Sequence, residues 1–359
     1  MHSAVGGGLA GGGSVNVPDA TAQSGGDIGT DARSSRVAVV GLGMLGRGIA
    51  ACFLRHGMHV VALDRGEAEL AAAREVIAGM IDELIDAGLA EPDLRKQWAA
   101  RYRAVTDYAE LADCTFVIES VPEDRTTKAE ALNRIEAAVT PVVVIASNTS
   151  AIPISSLQKG TSHPERLVGM HWAEPAHATR FMELVRGDQT SDAAFQAAAE
   201  MARRVGKEPC FCQKDVPGFI VNRIGYAMYR EAHALLDAGV ADADSIDRAM
   251  RNSIGLWASL CGPLRWIDLS GGPELYAKAM EPVLPSLSRD EQLSPMFAQL
   301  AASGAQGVRN GRGFFTYTPE EARQWSELYR QHAWRIAKMQ DEYFPLNVTH
   351  GVPVRLSGS

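Results

Sequence analysis

The order of apolar and polar residues divides the chain into two parts. From residue 36 onwards, short runs rich in β-branched and other apolar residues alternate with stretches of helical spacing. This alternation is typical of a parallel sheet with helices on both faces. It predicts a first helix over 44–56 and further helical segments between most of the strands. The predicted strands are 36–40, 59–63, 115–118, 142–146, 167–170, 181–185 and 208–213.

After Pro217 only helical spacing remains, interrupted by glycine and proline. The predicted helices are 219–238, 242–252, 274–284 and 319–337. This order predicts the α/β fold class, with a Rossmann-type doubly wound sheet over 36–215 followed by a smaller all-α domain over 216–345.

The two ends of the chain have a different composition. Residues 1–35 contain nine glycines and no aromatic residue. Such a segment buries too little apolar surface to offset the entropy of ordering it, so we predict a disordered Gly-rich tail. It also lacks the basic start and apolar core of a secretory signal. Residues 346–359 are predicted to form a second, loose tail.

Charge and hydropathy narrow the class of partner. The 359 residues carry a formal net charge of −8 and include no block rich in lysine or arginine, which argues against a nucleic-acid partner. No apolar run approaches the ~20 residues that a membrane-spanning helix needs, which argues against a membrane protein. The expected partner is therefore a small molecule.

Five cysteines are scattered through apolar or strand-like segments, and their number is odd. This pattern predicts buried free thiols in a cytoplasmic protein. Cys210 and Cys212 alternate within a predicted strand and so share one face. Two thiols are too few ligands for a metal site, and we expect none.

A glycine motif follows the first predicted strand and opens the first predicted helix. Gly41, Gly43 and Gly46 form G-x-G-x-x-G in the strand–turn–helix context that a dinucleotide-binding fingerprint requires. The glycines allow a tight turn, close approach of the backbone to a pyrophosphate, and close packing of helix against strand. The predicted cofactor-binding loop consists of Gly41, Leu42, Gly43, Met44, Leu45 and Gly46.

Asp64 ends the second predicted strand, 18 residues after the last of these glycines. A carboxylate there accepts hydrogen bonds from both hydroxyls of an adenosine ribose and repels a 2′-phosphate. The sequence therefore predicts NAD rather than NADP as cofactor. Arg65 is the one neighbouring residue that would favour a phosphate, and we interpret it as a solvated side chain.

Four further motifs carry a family resemblance. They are Glu119-Ser-Val-Pro-Glu123, Ser147-Asn-Thr-Ser150, Gly169-Met-His171 with Glu183, and Lys214-Asp-Val-Pro-Gly-Phe-Ile-Val-Asn222-Arg. Together with the glycine motif they resemble the L-3-hydroxyacyl-CoA dehydrogenase superfamily, including its gulonate 3-dehydrogenase (lambda-crystallin) and carnitine dehydrogenase branches. The resemblance runs from about Arg36 to Tyr317.

The resemblance implies roles for six residues. His171 is the implied acid/base residue, and Glu183 orients and polarises it. Ser150 and Asn222 would bind the reacting oxygen of the substrate. Glu123 and Lys128 match family positions near the nicotinamide end of the cofactor. A homodimer formed through the helical domain is implied by the same analogy.

The chemistry of alcohol oxidation supports a histidine in this role. Hydride leaves carbon as the hydroxyl loses its proton, so a base that works near neutral pH must contact that oxygen, and histidine is the natural choice. A carboxylate on the other ring nitrogen fixes the tautomer and stabilises the imidazolium. A Ser-His-Glu hydrolase is disfavoured, because no G-x-S-x-G elbow is present and the glycine motif would be unexplained.

Two departures from the family pattern bear on the substrate. The family's CoA enzymes carry a lysine-bearing hairpin that contacts the CoA nucleotide, whereas residues 67–91 here hold seven acidic residues and only Arg74 as a base. The family's asparagine after the base is replaced by Glu174, which would disfavour an anionic group nearby. Trp172, Trp257 and Trp266 could supply aromatic faces around a flat or cationic group, but core packing is the favoured interpretation.

These observations predict an NAD-dependent dehydrogenase of a small β-hydroxy acid or related secondary alcohol. The first alternative is an L-3-hydroxyacyl-CoA dehydrogenase that acts on CoA thioesters. The second, from another class, is a non-catalytic NAD-binding protein of the crystallin type. The presence of Ser150, His171, Glu183 and Asn222 argues against the second alternative.

Overall fold

The computed structural model describes residues 35–346, and both predicted tails lie largely outside these described residues. One eight-stranded sheet runs in the order β3-β2-β1-β4-β5-β6-β7-β8. Its strands are β1 Arg36–Val40, β2 His59–Leu63, β3 Tyr102–Val105, β4 Phe116–Glu119, β5 Val144–Ser147, β6 Leu167–His171, β7 Phe181–Val185 and β8 Glu208–Cys212. All neighbours are parallel except β6 and β7, which are antiparallel.

Helices cover both faces of this sheet, since residues of each strand alternate between two separate buried clusters. They are α1 Met44–Arg55, α2 Glu67–Asp86, α3 Leu94–Arg101, α4 Arg125–Ala138, α5 Ile154–Gln158 and α6 Asp192–Arg204. The chain reverses its direction of strand addition between β1 and β4, and in doubly wound sheets this switch point opens the crevice that binds ligands. The predicted Rossmann-type arrangement is confirmed.

The helical part follows the last strand. Its helices are α7 Val221–Asp237, α8 Ala243–Ala249, α9 Gly255–Ala258, α10 Pro263–Leu269, α11 Gly272–Met280, α12 Pro295–Ala302 and α13 Pro319–Tyr343. The last of these packs back on the sheet part, where Trp334 joins Leu84 and Ala178 in a buried cluster. No helix among residues 35–346 is both long and apolar enough to cross a membrane.

Several local predictions differ from the structure, and three of them have a physical reason. Strand β3 was not predicted, because Arg103 breaks its apolar run. Val142 was predicted to begin a strand, but it is exposed and β5 begins two residues later. Phe219 was predicted to be helical, but it has a φ of 51° and precedes α7. Since bulky residues rarely adopt this left-handed conformation, the burial of the Phe219 ring is what holds it there.

Candidate active site

The glycine loop has the shape of a cradle. A Cβ atom on Gly46 would lie 1.9 Å from the carbonyl oxygen of Gly41, and one on Gly41 would lie 2.6 Å from that of Ser120. At Gly43 a Cβ atom would meet no heavy atom within 4 Å. Two glycines therefore allow close packing, while the third faces open space. No side chain caps the N-terminus of α1, so its first amide groups are available to a phosphate.

Asp64 lies at the carboxyl end of β2 and faces this loop. Its carboxylate accepts hydrogen bonds from the backbone N–H groups of Leu42 and Arg65, each at 2.7 Å. A carboxylate has about four acceptor positions, so two remain for ribose hydroxyls. Met44, the first residue of α1, is exposed, whereas Leu45 packs against the core. These residues fit a dinucleotide with its pyrophosphate on α1.

His171 and Glu183 lie directly opposite each other on the antiparallel pair β6 and β7. The distance from His171 Nδ1 to Glu183 Oε2 is 2.7 Å, and both side chains are buried. The other carboxylate oxygen of Glu183 accepts the N–H groups of Ile220 and Val221, each at 2.9 Å. Burial alone would raise the pKa of Glu183, but these hydrogen bonds outweigh it and hold the pKa below its ordinary value.

Ser150 and Asn222 meet beside this pair. Asn222, one residue into α7, donates from Nδ2 to the carbonyl oxygen of Ser150 at 2.8 Å. Because Val221 donates to Glu183, the start of α7 joins both pairs of predicted catalytic residues. The structure thus brings Ser150, His171, Glu183 and Asn222 together.

Glu123 organises the turn that carries Ser150. Its Oε1 atom accepts hydrogen bonds from Thr149 Oγ1 at 2.7 Å and from the N–H groups of Ser150 and Ala151 at 2.9 and 3.0 Å. Burial acts to raise the pKa of Glu123, yet Thr149, the Lys128 ammonium and the two N–H groups together lower it. Glu123 is therefore a carboxylate that shapes the wall of the crevice.

Lys128 lies behind the crevice rather than in it. Its side chain is buried, and Nζ donates to Glu119 Oε1 at 2.8 Å and to the carbonyl oxygen of Val121 at 3.2 Å. Glu119 also accepts a hydrogen bond from Ser147 Oγ. The buried pair thereby connects β4, β5 and α4. Glu119 was not singled out from the sequence, although it begins one of the motifs that carry the family resemblance.

Arg309 is a second residue that the sequence analysis did not single out. This residue of the helical part lies with Nη2 3.6 Å from the sulfur of Met44, at the N-terminus of α1. A guanidinium group there adds positive charge beside the amides that face a pyrophosphate. Its sequence signal was its position directly before the motif Asn310-Gly-Arg-Gly-Phe-Phe.

The excess of acidic residues over 67–91, counted from the sequence, is partly compensated in the fold. Arg95 of α3 lies 2.6 Å from Asp82 and 3.6 Å from Asp86, and Arg330 of α13 lies 4.0 Å from Glu83. Three of the seven acidic side chains therefore have basic partners outside residues 67–91. Screening and pairing leave this surface less repulsive to an anion than its composition suggests.

Trp172 has the core packing that the sequence analysis favoured over an aromatic face. The Trp172 ring is completely buried, packs edge-on against Phe53 and lies under the ammonium group of Lys207. Trp257 and Trp266 stack on each other in the helical part. Glu174, two residues after Trp172, is half-buried, and burial raises the pKa of its carboxyl group. Burial therefore opposes the negative charge that the sequence analysis expected at Glu174.

Comparisons with known proteins agree with this geometry. Residues 36–216 match the family model of the 3-hydroxyacyl-CoA dehydrogenase NAD-binding domain, and residues 218–317 match that of its C-terminal domain. The chain is 34% identical over 288 residues to 5-formyl-3-hydroxy-2-methylpyridine 4-carboxylate 5-dehydrogenase of Mesorhizobium japonicum. This alignment covers 80% of the chain and 92% of the relative.

Two other relatives have different substrates in their names. L-carnitine dehydrogenase of Streptomyces coelicolor is 32% identical over 82% of the chain and 94% of the relative. A 3-hydroxybutyryl-CoA dehydrogenase of Mycobacterium tuberculosis is 33% identical over 79% and 98%.

The crystal structure of a 5-formyl-3-hydroxy-2-methylpyridine 4-carboxylic acid 5-dehydrogenase, described as an NAD+-dependent dismutase, superposes with a TM-score of 0.80. It is 31% identical and covers 85% of this chain, and 98% of its own length is matched.

Proposed function

Since the chain belongs to the 3-hydroxyacyl-CoA dehydrogenase family and is an NAD-dependent dehydrogenase, we propose that it oxidises the hydroxyl group of a small β-hydroxy acid or related secondary alcohol. The observation that carries this proposal is the buried His171–Glu183 pair, which meets Ser150 and Asn222 at the start of α7. These groups lie at the edge of the sheet where the glycine loop would place the cofactor.

The proposed mechanism assigns one task to each group. NAD supplies the hydride acceptor. His171 accepts the hydroxyl proton at Nε2, because Nδ1 is engaged by Glu183. Glu183 stabilises the positive charge that develops on the ring and keeps the tautomer, while Ile220 and Val221 keep Glu183 ionised. The Ser150 hydroxyl and the Asn222 amide orient the reacting oxygen.

We favour a small substrate over a CoA thioester, because some relatives act by name on small acids and because α2 presents no basic surface. One relative acts by name on a pyridine carboxylate, and the carnitine relative acts on another small acid. In α2, the single basic side chain is Arg74, whose guanidinium stacks on Trp98 and Tyr102. The CoA thioester reaction remains the second candidate, because several relatives carry it in their names.

NADH absorbance with a substrate panel tests the proposed function. The panel contains free 3-hydroxy acids, carnitine, gulonate, aromatic alcohols and 3-hydroxybutyryl-CoA, each with NAD. We expect turnover of at least one free acid or alcohol. Turnover of 3-hydroxybutyryl-CoA alone would support the second candidate, and turnover of none would favour a non-catalytic NAD-binding protein.

Replacement of Asp64 by Asn is expected to narrow the preference for NAD over NADP by about tenfold. Asn keeps an acceptor for the N–H group of Leu42 but removes the charge that repels a 2′-phosphate. Dissociation constants of NADH and NADPH, measured by fluorescence, check this. The control is Asp113→Asn, an exposed aspartate that pairs with Arg36 at the opposite end of β1. A parent that prefers NADPH would show that Arg65 dominates the selection.

We propose that the protein is a homodimer formed through its helical part. No residue of α7 is buried, and the large apolar side chains of Leu256, Leu264 and Leu269 are mostly exposed. Apolar surface on this scale is typical of an interface. Sedimentation analysis is expected to give twice the 38.5 kDa of the chain. A monomer at micromolar concentration would contradict the proposal.

We propose a cytoplasmic location for this enzyme. All five cysteines are unpaired, which supports a reducing compartment. Cell fractionation tests this location, and recovery of the protein outside the cytoplasm would contradict it.

A further inference from the structure

We propose that Asn148 is a positioning residue that sets the base His171 in register with the cofactor loop; this rests on the proposed function. Asn148 follows β5 and is buried. Its side chain donates one hydrogen bond to the residue that follows β4 and accepts one from the residue that follows β6. The family resemblance implies no role for the Asn148 side chain.

On one side, Asn148 is bonded to the strand that supports the glycine loop. Its Nδ2 atom donates to Ser120 Oγ at 3.0 Å, and its backbone N–H donates to the carbonyl oxygen of Glu119 at 2.7 Å. Ser120 in turn touches the loop, because Cβ atoms on Gly41 and Gly46 would lie 2.6 Å from its carbonyl and 3.7 Å from its hydroxyl. Ser120 thus connects Asn148 to the glycine loop, which is expected to bind the cofactor phosphates.

On the other side, Asn148 is bonded to the residue that follows the base. Its Oδ1 atom accepts the N–H group of Trp172 at 3.0 Å. The ring of Trp172 is completely buried between Phe53 and Lys207, so this residue is a rigid anchor. The peptide unit whose N–H is held in this way begins at His171. Asn148 therefore fixes the backbone at the base itself.

These contacts form one continuous chain from the glycine loop to the catalytic histidine. Hydride transfer and proton removal occur on one substrate carbon and its oxygen, so the cofactor and the base must be in register to within a fraction of an ångström. A misplacement of 1 Å lowers the rate by about 100-fold. An amide is suited to this role because it carries a donor and an acceptor in one plane.

The replacement Asn148→Leu tests the proposal, because leucine has a similar volume but makes neither hydrogen bond. We expect kcat to fall by about 10- to 100-fold, while the dissociation constant of NADH stays within about threefold of the parent. In the reverse, ketone-reducing direction with NADH deuterated at the transferred C4 position, the isotope effect on kcat is expected to rise, because a misaligned hydride transfer becomes the slow step. A loss of folding stability alone would not change the isotope effect.

Three further variants keep the test decisive. Asn133→Leu makes the same change at an exposed position of α4 and should leave kcat unchanged. Asn148→Asp keeps an acceptor for Trp172 and accepts from Ser120, so we expect it to retain more activity than the leucine variant. Ser120→Ala removes only the partner that follows β4, so we expect a smaller fall in kcat, and this variant carries the test if the leucine variant does not fold.

A readout without substrate separates this proposal from the proposed function. NMR of 15N-labelled histidine in the NADH complex reports the chemical shifts of the His171 ring nitrogens. We expect these shifts to change in Asn148→Leu, or in Ser120→Ala if the former does not fold, and to stay unchanged in Asn133→Leu. Unchanged His171 signals together with an unchanged kcat would overturn the proposal. If the parent turns over no substrate of the panel but the His171 signals change in the variant, the proposed function is refuted and the role of Asn148 is not.

Discussion

Replacement of His171 by alanine is expected to lower kcat by about 10²- to 10⁴-fold while the affinity for NADH changes little. The variant loses the proton acceptor, but the glycine loop is built from other elements and keeps its shape. Rapid-mixing kinetics of NADH formation and fluorescence titration of NADH measure the two effects separately. Activity within a few fold of the parent would reject His171 as the base.

A comparison with Glu183→Gln separates the base from its partner. Glutamine keeps a hydrogen bond to Nδ1 but removes the charge that stabilises the imidazolium, so the loss in kcat should be smaller than for His171→Ala. The lowered pKa of Glu183 means that its charge stabilises the fold above the carboxyl's ordinary pKa of 4.5 and that this stabilisation is lost as pH falls below it. The matched control for His171→Ala is His163→Ala, because His163 is a partly exposed histidine away from the candidate site.

Replacement of Lys128 by alanine is expected to reduce the free energy of unfolding by about 3–5 kcal/mol. Lys128 and Glu119 are both completely buried, so the change leaves a carboxylate without its cation inside the protein. Glu123 also loses the ammonium group that lies 3.5 Å away and helps to lower its pKa. Urea unfolding followed by circular dichroism measures the loss.

The exposed Lys159 provides the control, since Lys159→Ala removes an equal charge from a solvated position. The double variant Lys128→Met with Glu119→Gln should recover part of the stability, because it removes both buried charges and keeps most of the volume. A loss below about 1 kcal/mol for Lys128→Ala would contradict a buried ion pair, since exposed pairs contribute no more than that.

The sequence was most informative where structure depends on near neighbours. The strand–turn–helix around Gly41, Gly43 and Gly46 needs only residues that are adjacent in the chain, and the structure confirms the strand, the turn and the helix. The alternation of strands and helices predicted the doubly wound sheet for the same reason. The predicted helix ends were wrong where a contact with a distant residue sets them. Phe219 is one case: it is buried beside His171, and α7 begins only after it.

Ion pairing on α2 depended on elements far away in the chain. The acidic composition of residues 67–91 predicted a repulsive surface, but Arg95 and Arg330 approach it from α3 and α13. The spacing of apolar and polar residues in α2 gives no information on which helices pack beside it. A charge count of one segment therefore overestimates its charge in the folded protein.

The sequence by itself determined the fold class, the cofactor loop and which residue types could carry out the chemistry, because these depend on local period and on side-chain chemistry. Only the tertiary structure decided that Lys128 lies behind the crevice, that Trp172 is a core anchor and that Asn148 links Ser120 to the backbone at His171. Burial and hydrogen bonding of a side chain are set by strands that are distant in sequence. Ser120, Asn148 and His171 come close together only when β4, β5 and β6 pair in the sheet.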